Sequence, residues 1–140
     1  MKSILAIIDT NILVSGLITA NPASPTCRSV DGMLQGSFPF LLSVALLREY
    51  REVLLRPAIV RLHQLGETEI DAILESITVN AILREPGTAE TEAPDRNDQH
   101  LWDLLAVRKE AVLITGDKLL LDNPPPSARV ISAQSFLSLI

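Results

Sequence analysis

Four carboxylates in this sequence stand where a chain of alternating strands and helices can bring them together. Asp9 ends an unbroken apolar run from Ile4 to Ile8, and Asp117 follows the run Ala111 to Ile114 by way of Thr115 and Gly116. Short apolar runs bounded by polar residues read as strands covered on both faces, and such strands belong to parallel sheets flanked by helices. Parallel strands present their exits at one edge, which is where open α/β sheets bind ligands. Glu49 lies on the predicted helix Val44 to Leu55, at the edge of a stripe formed by Leu46, Leu47, Tyr50, Val53 and Leu54. It stands roughly 100° from the stripe's centre at helical spacing. Asp98 falls one turn before Leu101, on the core side of another helix, whereas Asp103 is on the opposite face and reads as solvated charge. Converging carboxylates repel one another and raise one another's pKa unless cations sit between them. Mg²⁺ or Mn²⁺ resolves that repulsion, because hard divalent ions take oxygen ligands.

Each acid also has a structural reading. Asp9, Asp98 and Asp117 are at plausible helix N-caps, and Glu49 can pair at the surface with Arg48 or Arg51. Caps, however, need not fall on strand exits and core-side faces of four separate segments, so the joint pattern favours convergence.

The elements that must position these acids alternate along the chain. After the first strand come a helix over Asn11 to Ile18 and a breaker-rich turn. A helix capped by Thr26 or Ser29 then runs to about Gly36, followed by a strand over Phe38 to Leu42. Ser43 caps the helix carrying Glu49, Pro57 opens a helix reaching Leu65, and Glu67 to Thr78 has helical spacing through Ile70, Ile73, Leu74 and Ile77. Val79 to Leu83 reads as a third strand, Glu85 to Asp95 as an acidic loop, and Asp98 to Lys109 as a helix. A helical turn over Leu119 to Leu121, a stiff Asn123-Pro-Pro-Pro connector, a strand at Val130-Ile131 and a helix opened by Ser132 or Ala133 complete the chain.

With 140 residues and a mean hydropathy of +0.28, the chain suits one domain with a core. Its formal charge of -5 does not advertise a nucleic-acid partner, so any phosphate must be handled locally. The single cysteine, Cys27, excludes an internal disulfide framework, fits a reducing cytoplasm and reads as a small buried hydrophobe. Lys2 and the apolar run after it imitate a secretory leader, but Asp9 and Asn11 interrupt it, and no stretch is long and apolar enough to span a membrane.

In four places the residues resemble one family. Ile8-Asp-Thr-Asn-Ile-Leu-Val-Ser, Leu47-Arg-Glu-Tyr-Arg-Glu-Val-Leu, Asp95-Arg-Asn-Asp-Gln-His-Leu and Leu113-Ile-Thr-Gly-Asp-Lys-Leu-Leu are similar, in order, to the motifs of PIN-domain ribonucleases, in particular the bacterial toxins of toxin–antitoxin pairs. The resemblance covers the whole chain and implies one PIN-like nuclease domain over residues 1–140. It implies a three-layer α/β/α sandwich on a mostly parallel sheet, and metal-dependent cleavage of single-stranded RNA in the cytoplasm. It assigns Mg²⁺ or Mn²⁺ ligation to Asp9, Glu49, Asp98 and Asp117, directly or through water, with Asn11, Thr115, Asp95 and Asn97 supporting them. A homodimer and a cognate antitoxin are the implied protein partners. Arg96 departs from the family, which usually has proline there, and Asn97 stands where the family often has aspartate. Arg96, Lys118, Arg48 and Arg51 are candidates for phosphate contacts, each of which also reads as solvated surface charge. His63 and His100 have no ligand spacing and receive no role, and Trp102 reads as core or interface.

Three other classes compete. A phosphoacceptor receiver also has acids at strand exits, but its paired N-terminal acids and terminal lysine are not evident here. A dinucleotide-binding enzyme lacks its Gly-rich loop after the first strand. A PIN scaffold that binds metal or RNA without cutting shares every ligand with the enzyme, so turnover alone separates the two.

Overall fold

A computed structural model describes residues 4–140; Lys2, read above with the leader-like run, lies outside the described residues. The chain runs β1 (Leu5–Ile8), α1 (Thr10–Ile18), α2 (Pro25–Gln35), β2 (Leu41–Leu42), α3 (Val44–Leu54), α4 (Pro57–His63), α5 (Glu67–Asn80) and β3 (Ile82–Leu83). A 3-10 turn (Arg96–Asp98) then leads into α6 (Gln99–Leu105), β4 (Ala111–Ile114), α7 (Lys118–Asp122), β5 (Arg129–Ile131) and α8 (Ala133–Leu139).

All strand pairs are parallel. β4 lies between β1 and β5, β2 pairs with β3, and the bridge between Ala6 and Phe40 joins the two sets. Across the sheet the order is therefore β3-β2-β1-β4-β5. The connections run outward from β1 in one direction and then return to its other side, so the strand order reverses between β1 and β4. That reversal opens the crevice in which α/β proteins bind ligands. With helices flanking this sheet the fold is the expected three-layer α/β/α sandwich.

β1 and β4 are buried along their whole length, as their uninterrupted apolar sequences require. Around them Phe40, Leu46, Tyr50, Leu54, Ile70, Leu104 and Phe136 are fully enclosed. Each such side chain contributes about 1.5–3 kcal/mol relative to exposure. Close approach of α1 to α2 depends on Gly16, where an added Cβ would lie 2.5 Å from Val30 Cγ2 and 2.7 Å from the Thr26 carbonyl.

Several boundaries differ from the sequence expectation. Ser24, rather than Thr26 or Ser29, caps α2, because Pro25 takes the first helical position and Ser24 accepts from the Cys27 amide. Cys27 itself is half-buried beside Asp31 rather than enclosed. α5 continues through Val79, leaving β3 only two residues long. Asn80 ends that helix by donating to the Met33 and Leu34 carbonyls of α2. The helix expected over Asp98 to Lys109 stops at Leu105 and begins with the 3-10 turn. Asp103 is not simply solvated: its carboxylate accepts from the Ala89 amide and the Gln99 side chain, tethering the acidic loop to α6.

Candidate active site

The exits of β1 and β4 are stitched together by side chains. Strand pairing already places Ile8 beside Ile114, and the Asp9 amide continues the ladder to the Ile114 carbonyl at 2.9 Å. Asp9, 4% exposed, accepts from the Thr10 amide at 2.8 Å, the Thr115 hydroxyl at 2.7 Å and the Asn11 amide group at 3.2 Å. Asn11 donates also to Thr115 Oγ1, and its carbonyl accepts from the Gly116 amide at 2.9 Å. Thr115 Oγ1 in turn accepts from the Asp117 amide, and Asp117 caps α7 through Leu119. Asp9 and Asp117 thus cap helices and face the crevice at once, so their two readings are not exclusive.

Glu49 reaches the same place from α3. The buried Tyr50 hydroxyl donates to the Ile8 carbonyl, which fixes how α3 is rolled against β1 and turns the preceding residue toward the crevice. Asp98 arrives at the junction of the 3-10 turn with α6. Asp9, Glu49, Asp98 and Asp117 line one cleft of about 360 Å³ with Thr10, Asn11, Val14, Ser15 and Val53. A larger hollow of about 540 Å³, bordered by Ile4, Lys109, Glu110 and Arg129 among others, gathers no comparable set of acids.

Crowding of like charge is visible in the acids themselves. Burial, followed by the charges of Asp9, Asp95, Asp117 and Glu49, pushes the Asp98 carboxyl up to about 6. Burial also raises Asp9, against the pull of the Thr115 and Thr10 hydrogen bonds. Glu49 is lowered, chiefly by a partner absent from the sequence reading: His100 Nε2 lies 2.8 Å from its Oε2, and His100 is raised in return. Arg48 and Arg51, the surface partners that the structural reading of Glu49 offered, do not take that place.

The supporting residues divide. Asn11 and Thr115 bond directly to Asp9. Asp95 accepts from the Asn97 amide within the exposed 3-10 turn, outside the cleft lining, and acts on Asp98 through its charge. Among the candidate phosphate contacts, Arg51 is taken up by Glu67 at 2.6 Å and Asp71 at 2.8 Å, a corner joining α3 to α5. Arg51 is not among the residues lining the cleft. Arg48 and Lys118 are exposed, and Arg96 borders a separate surface hollow with Glu92, Ala93, Pro94 and Gln99. His63 bridges the Leu54 carbonyl and the Leu65 amide, a structural role, and Trp102 is core.

Among the described residues no three His, Cys, Asp or Glu side chains are grouped tightly enough to hold a metal ion. The donor set nevertheless fits a hydrated hard cation. It consists of carboxylate oxygens spread around one cleft, and Mg²⁺ keeps several of its own waters and needs only one or two protein carboxylates. The Thr10 hydroxyl, buried in the cleft wall without a hydrogen-bond partner, adds a neutral oxygen donor.

A parallel α/β sheet with carboxylates gathered where its strand order reverses defines an acidic-cleft α/β domain. The chain belongs to the PIN domain family: the family model matches residues 6–119, which hold all four acids. PIN is a nuclease fold, and its nucleases typically use divalent metals. Among solved structures the chain is similar to the PIN domain of RRP44 from T. brucei, with a TM-score of 0.50 and 13% identity over 98% of this chain and 80% of that one. At that identity the likeness shows the fold. No curated protein matches the chain. No described helix is long and apolar enough to cross a membrane.

Proposed function

We propose that this PIN domain is a Mg²⁺- or Mn²⁺-dependent endoribonuclease that cleaves single-stranded RNA, acting as the toxin of a toxin–antitoxin pair in the cytoplasm. The observation that carries the enzymatic reading is the set of four carboxylates lining one cleft at the exits of β1 and β4. Asp9, Glu49, Asp98 and Asp117 would hold the ion, partly through water, and the ion would supply Lewis acidity to phosphate and to the attacking water. Asp9 brings a carboxylate whose orientation is set by three donors. Asp98, whose charge is disfavoured by burial and by the acids around it, is a carboxylate whose ionised form a bound cation would favour. Lys118, beside Asp117, and the exposed Arg48 and Arg96 offer cations for flanking phosphates. The toxin role, the cognate antitoxin and a homodimer rest on the four motifs' likeness to the bacterial toxin group.

A second reading, a PIN scaffold that binds metal or RNA without cutting, draws support from the wide spacing of the acids. Incubation of the purified protein with several unrelated single-stranded RNAs separates the two. Cleavage with Mg²⁺ or Mn²⁺ that EDTA stops is the expected result. Intact RNA with both metals would overturn the enzymatic reading.

A further inference from the structure

Tyr50 fixes the roll of α3, but it does not fix the side chain of Glu49, which keeps three rotatable bonds and is 33% exposed. An unrestrained glutamate there would divide its time between the cleft and water, and holding it costs side-chain entropy. Glu49 has one hydrogen-bond partner among the described residues, His100 on the first turn of α6. The Thr10 hydroxyl is near enough to favour the Glu49 carboxylate but makes no hydrogen bond to it, and Arg56 reaches Glu52 instead, at 3.7 Å. Because a carboxylate only accepts, the imidazole must carry its proton on Nε2. Nδ1 is buried and has no partner, so the ring takes its polar orientation from Glu49 alone. Its neighbours Leu101 and Trp102 are buried and hold the start of α6 against the core.

We propose that His100 is a positioning residue that aims Glu49 into the acidic cleft, engaging Oε2 and leaving Oε1 as the oxygen offered to a divalent cation. This inference rests on the metal-dependent reading above. Donors behind a ligating carboxylate typically change metal affinity by about 10–100-fold when removed.

The test is calorimetric titration of Mn²⁺ into wild type, His100→Phe, His100→Gln and Asp9→Asn, with thermal unfolding of each in EDTA. His100→Phe keeps a ring but no donor and is expected to weaken Mn²⁺ binding by about tenfold or more, while His100→Gln, whose amide donates, stays within about threefold of wild type. Unfolding temperatures of the two in EDTA should agree. Should the phenyl ring disturb α6, His100→Ala reports the same loss of donor. Wild-type affinity in His100→Phe, or equal losses in His100→Phe and His100→Gln, would overturn the positioning role. If Asp9→Asn loses Mn²⁺ while every His100 variant keeps it, this inference fails alone; if wild type binds no Mn²⁺, the metal-dependent reading falls with it.

Discussion

Asp9 and Asp98 face the same cleft and are held in opposite ways. Asp9 is enclosed, accepts from three donors and belongs to a closed set of bonds running through Asn11, Thr115, Gly116 and Asp117. Asp98 sits at the junction of two helical segments and makes no capping bond with its side chain. Burial disfavours the charge of both, but donors offset it at Asp9 and nothing comparable does at Asp98. One half of the site is therefore built into the sheet, where its loss costs stability. The other half is carried by α3 and α6, where, on the proposed function, its loss should cost chemistry rather than stability.

The largest expected effect lies on the loosely held side. Asp98→Asn should lower RNA cleavage by about 10²–10³-fold, the scale of removing one preorganised charge beside a reacting group, with little change in unfolding temperature. Asp103→Asn keeps the Oδ1 acceptor for Ala89 and should cleave near the wild-type rate. Equal losses in the two, measured as initial rates on one RNA, would break the assignment of inward and outward faces on α6. On the tightly held side, Thr115→Val removes the hydroxyl from Asp9 and leaves the Asp117 amide and one Asn11 donor without their acceptor. Unsatisfied buried groups of that kind cost about 1–3 kcal/mol, to be read from denaturant unfolding in EDTA. Unchanged stability would mean that the bonds around Asp9 do not lock it, and the contrast would collapse.

The two halves were also unequally legible in the sequence. Asp9 and Asp117 follow apolar runs so closely that strand exit and acid are read together, and parallel pairing then forces them to one edge. Glu49 and Asp98 follow from helical phase, which is local. The Glu49–His100 bond joins residues 51 apart through a side-chain torsion that no periodicity encodes. Asp103 was misread for a related reason: phase puts it away from the core, but the breaker-rich loop folds back over that face and supplies donors. β2 is shorter than the apolar run Phe38 to Leu42 because Pro39 has no amide to donate and Phe40 makes only an isolated bridge to Ala6, and α5 overran the expected third strand because Val79, at 78% exposed, is on a solvent-facing helical position.

A smaller effect sharpens the line between site and scaffold. Arg51 is exposed, and its pairs with Glu67 and Asp71 join α3 to α5 without touching the cleft. Exposed ion pairs are screened by solvent and salt and contribute little. Arg51→Gln should thus unfold close to wild type and leave RNA affinity and its salt dependence unchanged, as a filter-binding titration in EDTA can measure. A shallower salt slope would return Arg51 to the phosphate-binding set.

The smallest effect concerns the metal-free fold and follows from the sign of each shift. Asp98 has a folded pKa of about 6, above its unfolded value. The folded state binds that proton more tightly, so its contribution to stability is fully present below the unfolded pKa and is lost as pH rises through about 6. The raised pKa values of Asp9 and His100 act in the same sense over their own ranges. Glu49 acts oppositely: its lowered pKa stabilises above its ordinary range and is lost as pH falls. Between pH 5 and pH 7.5 the falling contributions dominate, because Glu49 is ionised throughout. In EDTA the unfolding temperature of wild type should therefore decline across that interval. Asp98 is partly exposed and its repulsions are screened, so the decline due to it stays within about 4 °C. Asp98→Asn removes that part of the slope while keeping the part due to His100 and Asp9. If wild type and Asp98→Asn share one slope, Asp98 does not feel its neighbours, and the loosely held half of the site is not drawn into the cleft with Asp9.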